Sequence, residues 1–136
     1  MSLERIDPPE LAKPSGFAHA VRSTGRTTVH LAGQTAMDAS GRIVDGDIVV
    51  QFEQALGNLL TALRAAGGDP SDLVSLTVYI VDMDGYQARA RDIGAVWRRL
   101  VGTAYPAMAG IGVSRLWDRD ALVEVQGVAA LTARGD

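Results

Sequence analysis

Apolar residues recur at three- and four-residue steps through Ile48, Phe52, Leu56, Leu59, Leu60 and Leu63, the period of a helix that buries one face. Asp47 stands where its carboxylate can take the first free amide hydrogens of that helix. Gly67-Gly68 at the far end tolerate positive φ, and Pro70 forbids continuation. Residues 73–81, Leu-Val-Ser-Leu-Thr-Val-Tyr-Ile-Val, are rich in β-branched and aromatic types and predict a strand buried on most of both faces. A second helix follows from Tyr86, Ile93, Trp97 and Leu100 behind an Asp84/Gln87 capping-box signature, with arginines 89, 91, 98 and 99 mostly facing water. Residues 17–22 and 27–32 are short β-prone runs separated by Ser-Thr-Gly-Arg, a hairpin signal. Asp38-Ala-Ser-Gly41 marks a turn before a short run at residues 42–44. Glycine-rich residues 107–113 and residues 122–131 give two last strands around a turn-like segment at 115–120. The order is ββ(β)αβαββ, an α+β pattern in which two helices cover one face of a sheet. The strands around Val78 and Val125 read as apolar on both faces, so the bare face calls for a cover, and self-association supplies one.

Composition narrows the picture. The chain has 136 residues, 47% of them apolar, enough for one core and little more, so residues 1–136 are expected to form a single domain with a Pro-rich arm at residues 1–15 strapped over the surface. With no cysteine there are no disulfides and no thiolate chemistry. A net charge of −3 and a single lysine, Lys13, argue against nucleic acid as a partner, because phosphate binding draws on a cationic surplus. The opening MSLERIDPPELAKP lacks the apolar run of a signal peptide, and nowhere do apolar residues approach the ~20 that span a bilayer. The expectation is a cytoplasmic protein without a membrane partner.

Few residues qualify for chemistry. His19 and His30 fall on different predicted strands with no carboxylate at ligand spacing, so no metal is expected. The pairs Asp45/Asp47, Asp82/Asp84 and Asp118/Asp120 flank turns or helix starts, where aspartate satisfies backbone amides. Gly110-Ile-Gly112 has neither the six-position dinucleotide pattern nor a phosphate-loop lysine, and no cofactor is expected. Arg134-Gly135-Asp136 spells an adhesion tripeptide and is taken as coincidence. Glu124 differs: it is the only acid inside the last strand, between Val123 and Val125, on the face shared by Gln126 and Val128. Two readings of it stand side by side. A carboxylate among apolar neighbours can serve proton transfer, or it can sit at an interface held by a backbone amide or another subunit's arginine.

Leu31-Ala-Gly-Gln34, Gln54-Ala-Leu-Gly-Asn-Leu59, the strand from Val74 to Val81 with Asp82-Met83, Tyr105-Pro-Ala107 and Ala121-Leu-Val-Glu-Val125 together resemble the RidA/YjgF family, also called L-PSP endoribonucleases, over about residues 16–131. The resemblance implies a chorismate-mutase-like α+β fold, a homotrimer with sheets around a central barrel, and small-molecule clefts between subunits. Active RidA enzymes hydrolyse 2-imino or 2-enamino acids to 2-keto acids and ammonia, gripping the substrate carboxylate with an arginine just after the Pro-Ala pair. Here that position is Met108, and a thioether offers only soft apolar contact in place of a two-pronged charged grip. The family's tyrosine falls at Phe17, the serine of its Leu-Ser-Gly-Gln segment at Ala32, and an asparagine of the second helix near Ala90. The resemblance retains Glu124, matching a water-positioning glutamate, and the backbone of Gly33.

Three functions follow as expectations. One is a RidA-like hydrolase in which Glu124 activates water and Phe17, Ala32, Gly33 and Met108 line a cleft for a ligand less polar than a small imino acid. Another is a binding module that captures a metabolite unchanged. Ribonuclease action ranks last, given the acidic charge and the lack of a histidine pair. Arg89, Arg91 or Arg115 stands as a substitute anchor should one reach the cleft.

Overall fold

A computed structural model describes residues 2–132. The strands are β1 (Ser2–Ile6), β2 (Ala20–Thr24), β3 (Thr27–Gln34), β4 (Leu73–Ile80), β5 (Ala107–Gly112) and β6 (Val123–Leu131); the helices are α1 (Ile48–Ala65), α2 (Met83–Ala88) and α3 (Ala90–Leu100). The main sheet is mixed, in the order β3-β6-β4-β5, with β4 and β5 parallel across the α2/α3 crossover and the other pairs antiparallel. This is an α+β arrangement, with the helices on one face. Among the described residues no helix is long and apolar enough to cross a membrane.

The core forms where the helical period predicts it. Phe52, Leu56, Leu59, Leu60 and Leu63 of α1 are buried against Leu76, Val78 and Ile80 of β4 and Val123 and Val125 of β6. Asp47 caps α1 by accepting from Val49 N and Val50 N, each at 3.1 Å. Those amides, together with Arg89 Nη1 at 2.7 Å, hold its carboxyl below the usual range. The C-terminus closes in a Schellman pattern, Gly67 N donating to Arg64 O and Gly68 N to Leu63 O at 3.0 Å each, with Gly67 at φ 91°. Gln51, buried on the same helix, donates to Asp120 O at 3.1 Å and accepts from Leu122 N at 2.8 Å, which pins the entry to β6.

Several local expectations are corrected. Strand β2 pairs with β1 inside the Pro-rich arm and not with β3, so the Ser-Thr-Gly-Arg segment is a crossing between two sheets and not a hairpin turn. Gly25 takes a positive φ of 63° there, and Arg26 turns inward to Asp72, 3.2 Å away with both side chains about 10% exposed. Meanwhile Arg5 ties β1 to the main body by donating to Tyr105 O at 2.8 Å and Ala104 O at 3.1 Å. Residues 42–44 form a single bridge, Met37 to Ile43, in place of a strand. The second helix is two helices separated at Arg89, whose φ of −110° and ψ of 20° leave the helical basin. Its cap is Asp82, which accepts from Gly85 N at 3.1 Å; Asp84 lies in the first turn, its charge near the positive helix end. The bare sheet face is also less apolar than expected. Strand β4 presents Ser75, Thr77 and Tyr79 there, and Tyr79 donates its hydroxyl hydrogen to Gln126 at 3.1 Å. Arg134-Gly135-Asp136 lies outside the described residues.

Candidate ligand cleft

Strand alternation assigns each candidate residue to a face. Met108 pairs with buried Leu76 in the β4/β5 register and shares its face with Gly110 and Gly112. A Cβ on those glycines would touch Ile80 Cδ1 and Met83 Cε at 3.7 Å. That is the helix side, where Met108 packs against the core. Glu124 alternates with buried Val123 and Val125 and pairs with Tyr79, so it lies on the opposite, bare face. Ala32 is exposed, next to inward-facing Leu31. The carboxylate of Glu124 lies over Gly33, so close that a Cβ there would overlap Glu124 Oε2 and stand 2.9 Å from its Cδ. The irregular β3/β6 register between Leu31 and Gln34 accompanies this approach.

The predicted site residues therefore separate into two groups on one chain. Gly33 and Glu124 meet on the bare face. Phe17 and Met108 meet at the β5 edge, where they line a cavity of about 260 Å³ with Tyr86 and Gly110. A second cavity, about 370 Å³, adjoins it through Gly16, Tyr86 and Met108 and runs under α3 to Phe52, Ile93, Trp97 and Tyr105. Ala90 and Arg98 also line it. The two groups are on opposite faces, with β4 between β6 and β5. Within one copy, Glu124 therefore does not face a ligand resting on Met108.

The electrostatics are sparse. The carboxylate of Glu124 makes no hydrogen bond or ion pair with any described residue. Tyr86, shared by both cavities, has its phenol pushed above the usual range by burial, so it stays protonated near neutral pH. Among the described residues no group of three or more histidines or acids is placed to hold a metal ion. His19 has its ring nitrogen Nε2 2.8 Å from Ala12 O and its backbone N–H on Asp7, and His30 lies exposed on β3.

The three substitute arginines do not line either cavity. Arg89 is held by Asp47 at 2.7 Å and Asp92 at 2.9 Å. Arg115 donates to the carbonyls of Leu116 and Trp117 in its own loop, and Arg91 is exposed. The cation that does line the cleft is Arg98, which the helix pattern left facing water. The four-residue steps Ala90, Gly94, Arg98 were the available signal, since they share one helix stripe. The aromatic wall of Phe52, Tyr86, Trp97 and Tyr105 was missed as well; apolar periodicity does not distinguish core from cavity lining.

Comparison with known proteins agrees with this architecture. The family model described as Endoribonuclease L-PSP matches residues 9–131. A RutC family protein of Pyrococcus horikoshii is 34% identical over 119 residues, 86% of this chain and 89% of that protein. The 2-iminobutanoate/2-iminopropanoate deaminase of Capra hircus is 33% identical over 103 residues, 75% of this chain and 72% of the enzyme. Among solved structures, the conserved Rid-family protein YyfB of Yersinia pestis superposes with a TM-score of 0.85 at 35% identity, covering 96% of this chain and 100% of that one. Motifs, topology and these relatives converge: the chain belongs to the RidA/YjgF family.

Proposed function

We propose that the protein acts as a homotrimer whose clefts form between subunits, the Glu124 and Gly33 of one copy closing over the Phe17 and Met108 of the next. The observation that carries this is the placement of the two groups on opposite faces of one sheet: each is half of a site. In the assembled cleft Glu124 positions or deprotonates a water against an electrophilic, imine-like carbon. Its carboxylate has no competing partner among the described residues.

The relatives named as 2-iminobutanoate/2-iminopropanoate deaminases suggest the reaction type but not this protein's substrate. The position that would grip a small acid is Met108, whose neighbours Phe17, Tyr86 and Gly110 form an apolar wall. A charge-assisted bidentate pair contributes roughly 3 kcal/mol in such a site, and without it a three- or four-carbon imino acid has little to hold it. A less polar, bulkier ligand gains what the small one loses.

Ammonia release from freshly generated 2-iminobutyrate, run beside an arginine-containing relative, tests this. The expected kcat/KM is lower by about 100-fold, as roughly 3 kcal/mol dictates. Turnover equal to the relative's would contradict the assignment of Met108.

A further inference from the structure

Of the arginines on and beside α3, two are occupied: Arg89 by Asp47 and Asp92, and Arg99 by Glu53 at 2.7 Å. Arg98 has no ion pair or hydrogen bond to any described residue, and it lines the larger cavity. Its guanidinium folds back along the helix, with Nη1 3.2 Å from the point a Cβ on Gly94 would occupy. Gly94 lines the same cavity, so the lack of a side chain there leaves the guanidinium room at the cavity mouth. A guanidinium is a planar fork of five donors that matches a carboxylate, and this one is unspent. In the same wall Trp97, 5% exposed, has an indole N–H without an acceptor among the described residues.

The inner surface is apolar and aromatic: Met108, Ile93, Phe52 and the stacked pair Trp97/Tyr105, ring centroids 6.2 Å apart. Its volume of about 370 Å³ is within the range of small-molecule sites. We propose that this cleft takes a monocarboxylate with an aromatic or branched apolar body, the body resting on Met108 and Trp97 and the carboxylate on Arg98 at the mouth. This rests on the cleft proposed above and narrows its ligand: the anion grip has moved from the strand to the helix. A short acid leaves most of the apolar floor uncovered and gains little from it.

Isothermal titration of the full chain with 3-phenylpropionate, 3-phenylpropionamide and propionate tests the proposal. The aryl acid is expected to bind at least about tenfold more tightly than either the amide or propionate, the scale of one charge-assisted hydrogen bond. Arg98→Gln is expected to abolish the preference for acid over amide and leave the amide's affinity unchanged, while Arg91→Gln, an exposed control, changes neither. An acid-to-amide ratio unaltered in Arg98→Gln overturns the grip. If acid and amide bind the wild type equally, the grip is wrong and the apolar cleft stands; if no aryl compound binds, both fall.

Discussion

Replacing Met108 by arginine is expected to raise kcat/KM for 2-iminobutyrate by about 100-fold, the return of roughly 3 kcal/mol of carboxylate binding. The expectation follows from where the side chain stands. Met108 is fixed on β5 by its pairing with Leu76, and its side chain forms the wall common to both cavities, so a longer polar chain has space to enter. Tyr86, held protonated, stands beside it as a hydrogen-bond donor. A rise in the single variant means that Glu124, Gly33 and the remaining wall suffice. If the folded single variant stays inactive, Phe17 and Ala32 also withhold needed hydroxyls, and the triple variant Phe17→Tyr, Ala32→Ser, Met108→Arg is then expected to gain the activity. An inactive triple variant contradicts the account.

The second large effect is on stability. Phe52→Ala is expected to cost about 3–5 kcal/mol, the range for truncating a buried phenylalanine, out of a total that for domains of this size is roughly 5–15 kcal/mol. Phe52 is 1% exposed, meets Tyr86 edge-on at 6.2 Å, and is also the inner wall of the larger cavity. Deleting its ring leaves the core and the cleft joined by a void that α1 and α3 cannot close without breaking their other contacts. Urea unfolding reads the change, and Phe52→Leu, which keeps most of the volume, is expected to lose less than about 1.5 kcal/mol. A Phe52→Ala variant within 1 kcal/mol of wild type, on the same scale, would mean that the wall is not part of the core.

What the sequence discloses depends on how local each determinant is. Helix α1 was legible to within a residue because six apolar positions, a capping aspartate and a glycine pair all lie within one continuous segment. Strands β4 and β6 were equally plain, since their β-branched runs need no partner to be recognised. Strand β1 was not, because Ser2-Leu3-Glu4-Arg5-Ile6 breaks its polar and apolar alternation at Arg5. Five residues beside two prolines carry little signal, and the strand's stability comes from Arg5 reaching carbonyls about 100 positions away. The break at Arg89 was hidden for a similar reason: the residue is engaged with Asp47 on another element.

The site followed the same rule. Alternation correctly placed Glu124 with Gln126 and Val128, and the motif resemblance singled out Met108, Phe17, Ala32 and Gly33. Neither could tell that Glu124 and Met108 stand on opposite faces, because that depends on the β6-β4-β5 order and on parallel pairing between β4 and β5. Arg98 was passed over because a charged residue on an exposed helix stripe is ordinarily solvated; only the cavity beneath α3 gives it another role.

The cysteine-free chain allows a direct test of the shared cleft. Cysteines introduced together by Ala32→Cys and Met108→Cys stand on opposite sides of the sheet within one copy, and a short bismaleimide cannot join them there. Across an interface of the kind proposed they come together, so brief treatment of dilute protein followed by denaturing electrophoresis is expected to yield covalent dimers and trimers, with neither single-cysteine variant passing beyond the dimer. Monomer alone from the double variant, with both thiols shown to be reactive, would contradict a cleft built from two subunits.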